Sequence, residues 1–440
     1  MKDRKNCVFL LVFLAWSCVE KVDFEQDRFV KILGKEGTAI TERIIEMDNG
    51  DIMVLGKMGI AAHDITSTFS GPQIGEVEDQ APFIAITDAN GNLKFLKMYP
   101  LEDFVLKWID VFNFENKTTF KYIAPLSDGG YALMAQVYGF DFNIDIPGVL
   151  DLIDYSSPGD VNFAPILFRL DPNFNVTDIR SFNAGPDWDG VHTLARAVMK
   201  PLPNNELGIL FGYKISGDKS IGYTFLHLDG DLDTLALADE FDNIEGKIAY
   251  DFDLVELNTL KILGGEQDGR LYEYSLSLSD PDRELSRRYI SEDGVFRHPN
   301  TNEHFVKTLS GGEMLYVYTN PSQNLIIGKI VGSGQADRII EFGSAEDFRE
   351  TIRAPRAVYE TTNGDLLVYE IIIPNVGVPF GYLHRVEQDG DYVFSIRMEG
   401  APGDVIETRD GNILVATNNQ YNGLTQRINL IKMSANGERY

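Results

Sequence analysis

One segment near the middle of the chain has side chains that suit recognition of a sugar ring or a protein surface. Two aspartates flank a tryptophan there, and a histidine follows three residues later. A tryptophan face stacks on sugars and anchors protein partners, while carboxylates and imidazoles offer hydrogen bonds. Two tyrosines in an aspartate-rich stretch add to this set, although burial of the tryptophan in the core is an open alternative. The candidate ligand-binding residues are Trp188, Asp187, Asp189, His192, Tyr138 and Tyr155.

The sequence contains one incomplete metal-binding pattern and no catalytic motif. Four acidic residues match positions 1, 3, 5 and 12 of an EF-hand loop, but Thr234 stands where that loop requires glycine and no flanking helices are predicted. We therefore predict no metal centre and no cofactor, with Ca²⁺ as the alternative. Catalytic residues stay unknown, because neither a nucleophile elbow nor a phosphate loop is present. The EF-hand-like residues are Asp229, Asp231, Asp233 and Glu240.

Arg349, Arg353 and Arg356 form the clearest basic cluster. Arginine forks bind carboxylates in two-point contacts, so a carboxylated ligand is one interpretation. Ordinary ion pairing within the protein is the other.

The bulk composition limits the possible partners. The 440 residues carry a net charge of -28. Such a surface repels the phosphate backbone, so we predict no nucleic-acid partner. It also disfavours docking to anionic lipid through charge alone.

The N-terminal segment resembles the export signal of bacterial lipoproteins. A basic start precedes the apolar run 8–15, and Ala15-Trp16-Ser17-Cys18 resembles a lipobox. The resemblance implies a signal peptide over residues 1–17, a lipidated Cys18 and a polar tether over residues 18–27. It also implies a cell-envelope location, as an outer-membrane lipoprotein that is periplasmic or surface-exposed, in contact with the membrane through its lipid anchor only. An ordinary signal peptide with an incidental cysteine is the alternative.

Internal repeats determine the predicted fold. Asn-Gly and Asp-Gly turns between apolar runs are strong hairpin signals, because such turns need positive φ. These turns divide the chain into seven units that follow a four-strand pattern, which predicts an all-β, closed β-propeller formed by residues 28–440 as a single domain. A solenoid of sheets is the alternative. The predicted blades are 37–100, 101–187, 188–243, 244–293, 294–344, 345–400 and one from residue 401.

The last unit lacks a fourth strand, and residues 28–34 look like an isolated fourth strand. We therefore predict that this N-terminal strand completes the last blade and closes the ring, which removes the free sheet edges. The third strands repeat a basic residue at one position, for which we expect an outer strand with one solvated face. The repeated basic residues are Arg169, His227, Lys329, Arg385 and Lys432.

The repeat Asp-Gly-Gly-aromatic, followed by apolar-Lys-apolar-Asp-x-Asn-Gly, resembles propeller repeats of secreted bacterial lipoproteins. That resemblance implies an architecture and says little about activity. With export and anchoring, it favours an envelope-anchored, non-catalytic binding or scaffold module for a glycan or an envelope protein. The alternatives are a glycoside hydrolase or polysaccharide lyase with carboxylates from separate blades, and a structural subunit of an envelope complex. We expect a binding site on the propeller face that carries the long connections.

Overall fold

The computed structural model contains seven antiparallel four-stranded sheets, so the predicted seven-bladed propeller is confirmed. It describes residues 29–33, 39–59, 80–99, 119–140, 161–181, 192–215, 221–239, 248–256, 258–265, 270–278, 280–291, 304–310, 312–320, 324–330, 337–342, 351–374, 377–421 and 425–439.

The strands follow one another in chain order within each blade, except that the first strand, β1 (Phe29–Leu33), belongs to the last blade. Blade 1 contains β2 (Ala39–Glu46), β3 (Ile52–Gly59), β4 (Gln80–Thr87) and β5 (Leu93–Met98). Blade 2 contains β6 (Thr119–Pro125), β7 (Tyr131–Phe140), β8 (Val161–Leu170) and β9 (Val176–Ser181). Blade 3 contains β10 (His192–Leu202), β11 (Glu206–Ile215), β12 (Ile221–Leu228) and β13 (Thr234–Asp239).

The second half of the ring repeats this arrangement. Blade 4 contains β14 (Ile248–Glu256), β15 (Thr259–Gly265), β16 (Leu271–Ser277) and β17 (Asp280–Ser291). Blade 5 contains β18 (Phe305–Thr308), β19 (Met314–Thr319), β20 (Leu325–Ile330) and β21 (Asp337–Phe342). Blade 6 contains β22 (Thr351–Glu360), β23 (Leu366–Pro374), β24 (Phe380–Val386) and β25 (Tyr392–Met398). Blade 7 contains β26 (Ala401–Glu407), β27 (Ile413–Tyr421), β28 (Thr425–Met433) and β1.

The first strands of successive blades contact one another all the way round, and β26 contacts β2. These seven innermost strands therefore surround the axis of the ring. Closure is as predicted, since β1 pairs antiparallel with β28 from Phe29 opposite Lys432 to Leu33 opposite Ile428. No described helix is long and apolar enough to span a bilayer.

The hydrophobic core is divided among the joints between blades. Seven apolar clusters occur, and each contains residues of two adjacent blades. The second strands lie between two such clusters, which explains why they are continuous apolar runs. All six residues of β19 are buried, for example.

The two ends of the ring differ. The end we name the turn face carries the hairpins between first and second strands and between third and fourth strands. Gly50 and Gly411 show their geometry: each has a φ near the left-handed region, 81° and 75°, and donates to the backbone carbonyl three residues earlier. The opposite end, the loop face, carries the second-to-third connections and the blade-to-blade connections.

The expectation for the basic third-strand residues was wrong. They are partly or fully buried, and each lies beside an acidic residue of its own blade, in the first turn or, for His227, at the start of the strand that follows this turn. The Lys432 ammonium lies 2.6 Å from Asp410, and the Arg385 guanidinium lies 2.6 Å from Asp365. Their side chains are only 6% and 8% exposed. The basic residue therefore fixes the turn against the third strand, and it does not mark a solvated face.

Candidate functional site

The residues predicted for ligand binding fall largely outside the described ranges. Asp187, Trp188, Asp189 and Tyr155 lie there, as does the lipidation candidate Cys18. His192 and Tyr138 lie on described strands, though only their backbone is described. His192 begins β10, and Tyr138 lies near the end of β7. Both positions are at the loop-face ends of adjacent blades, and their role in binding stays a prediction.

The EF-hand-like aspartates have structural partners. One Asp229 oxygen accepts the backbone N–H groups of Asp231 and Asp233, both at 2.9 Å. The Asp231 carboxylate lies 3.0 Å from the Arg169 guanidinium of blade 2, and Asp233 lies 2.8 Å from that of Arg180. These contacts hold the third-to-fourth turn of blade 3 against blade 2. Glu240, the last residue of the pattern, lies outside the described residues.

A second acidic group lies on the turn face of blade 6. Carboxylate oxygens of Glu387, Asp389 and Asp391 lie within 4.8 Å of one another, and all three side chains are exposed. Exposed acidic turns are common without a bound ion, so we assign this group no function.

Three charged residues from different blades converge near the axis of the ring. The Glu42 carboxylate of β2 lies 2.9 Å from the Lys121 ammonium of β6 and 2.5 Å from the Arg356 guanidinium of β22. These strands belong to blades 1, 2 and 6, so the contact to Arg356 passes over blade 7. We name these three residues the axial cluster.

β-Bulges place the axial cluster. The pairing of β2 skips Glu42, that of β6 skips Lys121, and that of β22 skips Arg356. A bulged residue is turned out of the regular ladder. On an innermost strand this directs a charged side chain toward the axis.

Electrostatics keeps the carboxylate of the axial cluster ionised. Burial alone would raise the pKa of Glu42, but Lys121 and Arg356 lower it to about 2, with a further contribution from Lys57. At neutral pH this carboxyl carries no proton to donate.

Asp404 lies beside the axial cluster and joins blade 7 to blade 1. Its oxygens accept the backbone N–H groups of Ile44 and Val405, both at 3.0 Å, and the Arg43 guanidinium lies 3.5 Å away. Burial raises the pKa of Asp404, and Arg43 opposes this rise. Because both oxygens accept main-chain donors, protonation would break a contact between blades.

The other side of the axis carries a second charged group. The Lys200 ammonium lies 3.0 Å from Asp251 and also donates to the Phe252 carbonyl. Asp251 accepts the Val306 N–H of blade 5 at 3.0 Å. One ion pair therefore connects blades 3, 4 and 5. Burial and the neighbouring Lys200 lower the pKa of Lys307, which lies on the same side.

Of the two interpretations of the arginine cluster, the described residues show ion pairing within the protein. Arg353 donates to Glu370 at 2.5 and 2.9 Å, and His384 Nε2 lies 2.8 Å from the same carboxylate. Burial would raise the pKa of Glu370, yet His384 and Arg353 lower it. Arg356 belongs to the axial cluster, and Arg349 lies outside the described residues.

Sequence reasoning missed the axial cluster as a group, although a signal for it exists. Residues 42, 121 and 356 each stand five positions before the first residue of a turn, at 47, 126 and 361. If the repeats are aligned on these turns, the three charged residues occupy the same position of the repeat, which predicts that they lie at the same height along the axis.

Comparison with known proteins finds similar solved structures and no matching family. No protein-family model and no curated protein matches the chain, whereas 293 chains of solved structures do. A protein of unknown function from Bacteroides caccae is 10% identical, with a TM-score of 0.39 over 62% of this chain and 87% of that one. Extracellular domains 1–2 of Drosophila semaphorin 1a are 8% identical, with a TM-score of 0.49 over 93% and 88%. The periplasmic gluconolactonase of Pseudomonas aeruginosa is 12% identical, with a TM-score of 0.45 over 82% and 94%.

Proposed function

We propose that this protein is an envelope-anchored, non-catalytic binding module that holds a glycan or an envelope protein on its loop face. The observation that supports this most is the state of the axial carboxylates. Glycoside hydrolysis needs one carboxyl group that donates a proton and a second that acts as base or nucleophile. Among the described residues, Glu42 is held ionised by two cations, and Asp404 and Asp251 accept main-chain hydrogen bonds between blades.

The distribution of connections supports binding at the loop face. On the turn face, strands are joined by tight hairpins such as 47–51 and 408–412. On the loop face, residues 60–79 connect the second and third strands of blade 1, and residues 141–160 do so in blade 2. Long connections on a rigid scaffold are where proteins usually carry binding residues. Of the predicted ligand-binding residues, Tyr138 and His192 lie on described strands of blades 2 and 3 that end or begin at this face.

The direction of β1 supports an orientation of the domain relative to the proposed lipid anchor. Phe29 pairs with Lys432 at the turn-face end of β28, so the chain enters β1 from the turn face. With Cys18 lipidated, residues 19–28 reach at most roughly 35 Å from the bilayer. The turn face would then point toward the membrane and the loop face away from it, toward ligands.

The binding face can be tested by blocking one face at a time. The mature domain from residue 19 contains no cysteine, so a single added cysteine can carry a polyethylene glycol chain. Val378→Cys modifies an exposed position in the second-to-third connection of blade 6, and Ala89→Cys modifies an exposed turn-face position. We expect the modified Val378→Cys to lose retention on an immobilised panel of polysaccharides and envelope proteins. The modified Ala89→Cys should retain what the unmodified domain retains, and equal loss from both faces would contradict the proposal.

The anchor has its own test. Cells that express the full chain with labelled palmitate should yield a labelled protein in the membrane fraction. Cys18→Ser should lose both the label and the membrane association, because stable attachment needs the acyl chains. An unlabelled protein that is released in soluble form would contradict lipidation and leave the binding proposal standing.

A further inference from the structure

Two neighbouring lysines on innermost strands differ in their contacts. The Lys200 ammonium of blade 3 lies 3.0 Å from Asp251 and 3.4 Å from the Val306 carbonyl of blade 5. Lys307 directly follows Val306 in β18. Among the residues that the structure describes, none accepts a hydrogen bond from the Lys307 ammonium or forms an ion pair with it. One of the two ammonium groups is therefore paired, and the other is not.

The carboxylates that act on Lys307 are held by other donors. They belong to Asp251, Asp253 and Glu360. Each accepts a backbone N–H group of blade 5 that lies one or three residues from Lys307. The donors are Val306, Thr308 and Ser310, at 3.0, 2.5 and 2.9 Å. A carboxylate that turned toward Lys307 would give up a contact between blades, so the amine stays unpaired.

The surroundings of Lys307 favour the neutral amine. Burial and the neighbouring Lys200 ammonium lower its pKa, against the opposing effect of Asp253, Glu360 and Asp251. Lys200 shifts in the other direction, because Asp251 and Asp253 raise its pKa in spite of burial. The Lys307 side chain is only partly buried, and its nitrogen keeps contact with solvent. A desolvated lysine beside another cation is an activated nucleophile toward carbonyl compounds.

The nearby charges indicate which carbonyl compounds can approach. Three carboxylates and one ammonium act on Lys307, so its surroundings are net negative. They repel a carbonyl compound that carries a carboxylate, such as a 2-oxo acid, and they do not repel an uncharged one.

We propose that Lys307 is a covalent site for a small, uncharged aldehyde, such as the open-chain form of a sugar, which it holds as an imine. The amine nitrogen adds to the carbonyl carbon, and the carbonyl oxygen leaves as water with the two hydrogens of the amine. A carbon–nitrogen double bond remains, and added water reverses the step. No oxidant or reductant is needed. Lys307 lies two residues before the first turn of blade 5, on the turn face, so this site is separate from ligand binding on the loop face.

The test treats the mature domain from residue 19 with limiting glycolaldehyde at neutral pH and traps imines with sodium cyanoborohydride. Mass spectrometry of chymotryptic peptides measures the rate of adduct formation at each lysine. Lys307 should react severalfold faster than Lys94, because more of its amine is neutral. Lys94 is a stringent reference, since its side chain is 51% exposed and its ammonium lies 2.6 Å from Asp51. Lys307→Arg should lose this adduct and keep the others.

Two variants of Lys200 separate the effect of its charge from simple exposure of Lys307. Lys200→Met removes the neighbouring ammonium and releases Asp251, so the rate at Lys307 should fall toward that of Lys94. Lys200→Arg keeps the positive charge and should keep the fast rate. The pH dependence of the wild-type rates gives the same information without a variant. The rate at Lys307 should level off at a lower pH than the rate at Lys94.

Glyoxylate, an aldehyde that carries a carboxylate, tests the preference for an uncharged ligand. The rate at Lys307 relative to Lys94 should be lower with glyoxylate than with glycolaldehyde, and equal ratios would contradict that preference. Reaction of Lys307 no faster than Lys94 would overturn the site. So would pH curves that run in parallel, or an unchanged rate in folded Lys200→Met. None of these results changes the retention of polysaccharides or envelope proteins by the loop face, so the two proposals fail separately.

Discussion

The two arcs of the ring hold their blades together in different ways. The innermost strands of blades 6, 7 and 1 each end in a glutamate that accepts hydrogen bonds from the first turn of the preceding blade. Glu407 accepts the Thr362 N–H and Oγ–H at 2.6 Å, and Glu360 accepts those of Ser310 at 2.9 and 2.8 Å. We name this contact the turn clasp.

The arc from blade 1 to blade 4 lacks the chemistry for it. Pro125 ends β6 where a clasp needs a carboxylate. Pro203 stands in the first turn of blade 3 where a clasp needs a backbone donor, and proline has no N–H. In blade 3, Asn205 accepts the Ser127 N–H instead, from a turn in which Asn204 and Asn205 have φ values of 63° and 65°.

The joint that closes the ring belongs to the clasped arc. Glu46 of blade 1 accepts the Arg409 N–H of blade 7 at 2.8 Å, as at an ordinary joint. Beyond this arc, the Lys200–Asp251 pair connects blades 3, 4 and 5 nearer the axis. The clasped arc has buried charged contacts as well, such as Asp404 with the Ile44 N–H. Turn clasps therefore add to the charged contacts near the axis in one arc, while the described residues of the other arc are joined without clasps.

The largest expected effect is at the buried ion pair. Asp251→Ala removes the carboxylate that lies 3.0 Å from the Lys200 ammonium and leaves the Val306 N–H without its acceptor, so the free energy of unfolding should fall by about 3 kcal/mol. Urea denaturation followed by circular dichroism measures this. Glu399→Ala, at an exposed glutamate before β26, serves as the control. A loss below about 1 kcal/mol would show that the pair does not connect these blades.

The second largest effect should come from acidification, which acts on the axial cluster. The pKa of Glu42 is lowered from 4.5 to about 2 in the folded protein, so its contribution to stability is present above pH 4.5 and is lost as the pH falls toward 2. By pH 3 the loss amounts to about 2 kcal/mol. Unfolding midpoints of wild type and Glu42→Gln between pH 6 and pH 3 test this. The wild type should lose more stability, and parallel curves would contradict the pKa assignment.

A turn clasp should contribute less. Glu407→Ala removes the acceptor of two hydrogen bonds at a partly exposed site, and we expect a loss of about 1 kcal/mol. A double-mutant cycle with Thr362→Ala isolates the hydrogen bond from Thr362 Oγ–H, because this substitution keeps the backbone N–H. Additive effects of the two substitutions would mean that the hydroxyl bond does not contribute, and an unchanged stability of Glu407→Ala would mean that the whole clasp does not stabilise the joint.

The smallest effect should come from the surface pair on the same face. The Arg409 guanidinium lies 3.0 Å from Asp48, and both side chains are exposed. Arg409→Gln keeps the backbone N–H that forms the clasp, so stability should change by less than about 0.5 kcal/mol. A larger loss would show that the ion pair between Arg409 and Asp48, and not the turn clasp, stabilises the joint between blades 7 and 1.

The sequence predicted most of the fold because its signals are local. Turns such as 47–51 and 361–365 contain an Asn-Gly pair, and the isolated strand at residues 28–34 matched the missing strand of blade 7. The axial cluster was not predicted, because Glu42 and Arg356 are far apart in the chain and meet only because bulges in β2 and β22 turn both residues out of their strand ladders. The buried third-strand cations were misjudged for a related reason. Their acidic partners lie across a hairpin, which a strand pattern alone does not show.

We propose that the protein binds a glycan or an envelope protein without catalysing a reaction on it. The most direct measurement incubates the mature domain with the polysaccharide panel and quantifies both retained polysaccharide and released reducing ends. We expect any glycan ligand to be retained, with no release of reducing ends above a heat-denatured control. Release that Glu42→Gln or Asp404→Asn abolishes would contradict it, because the axial carboxylates would then be catalytic groups.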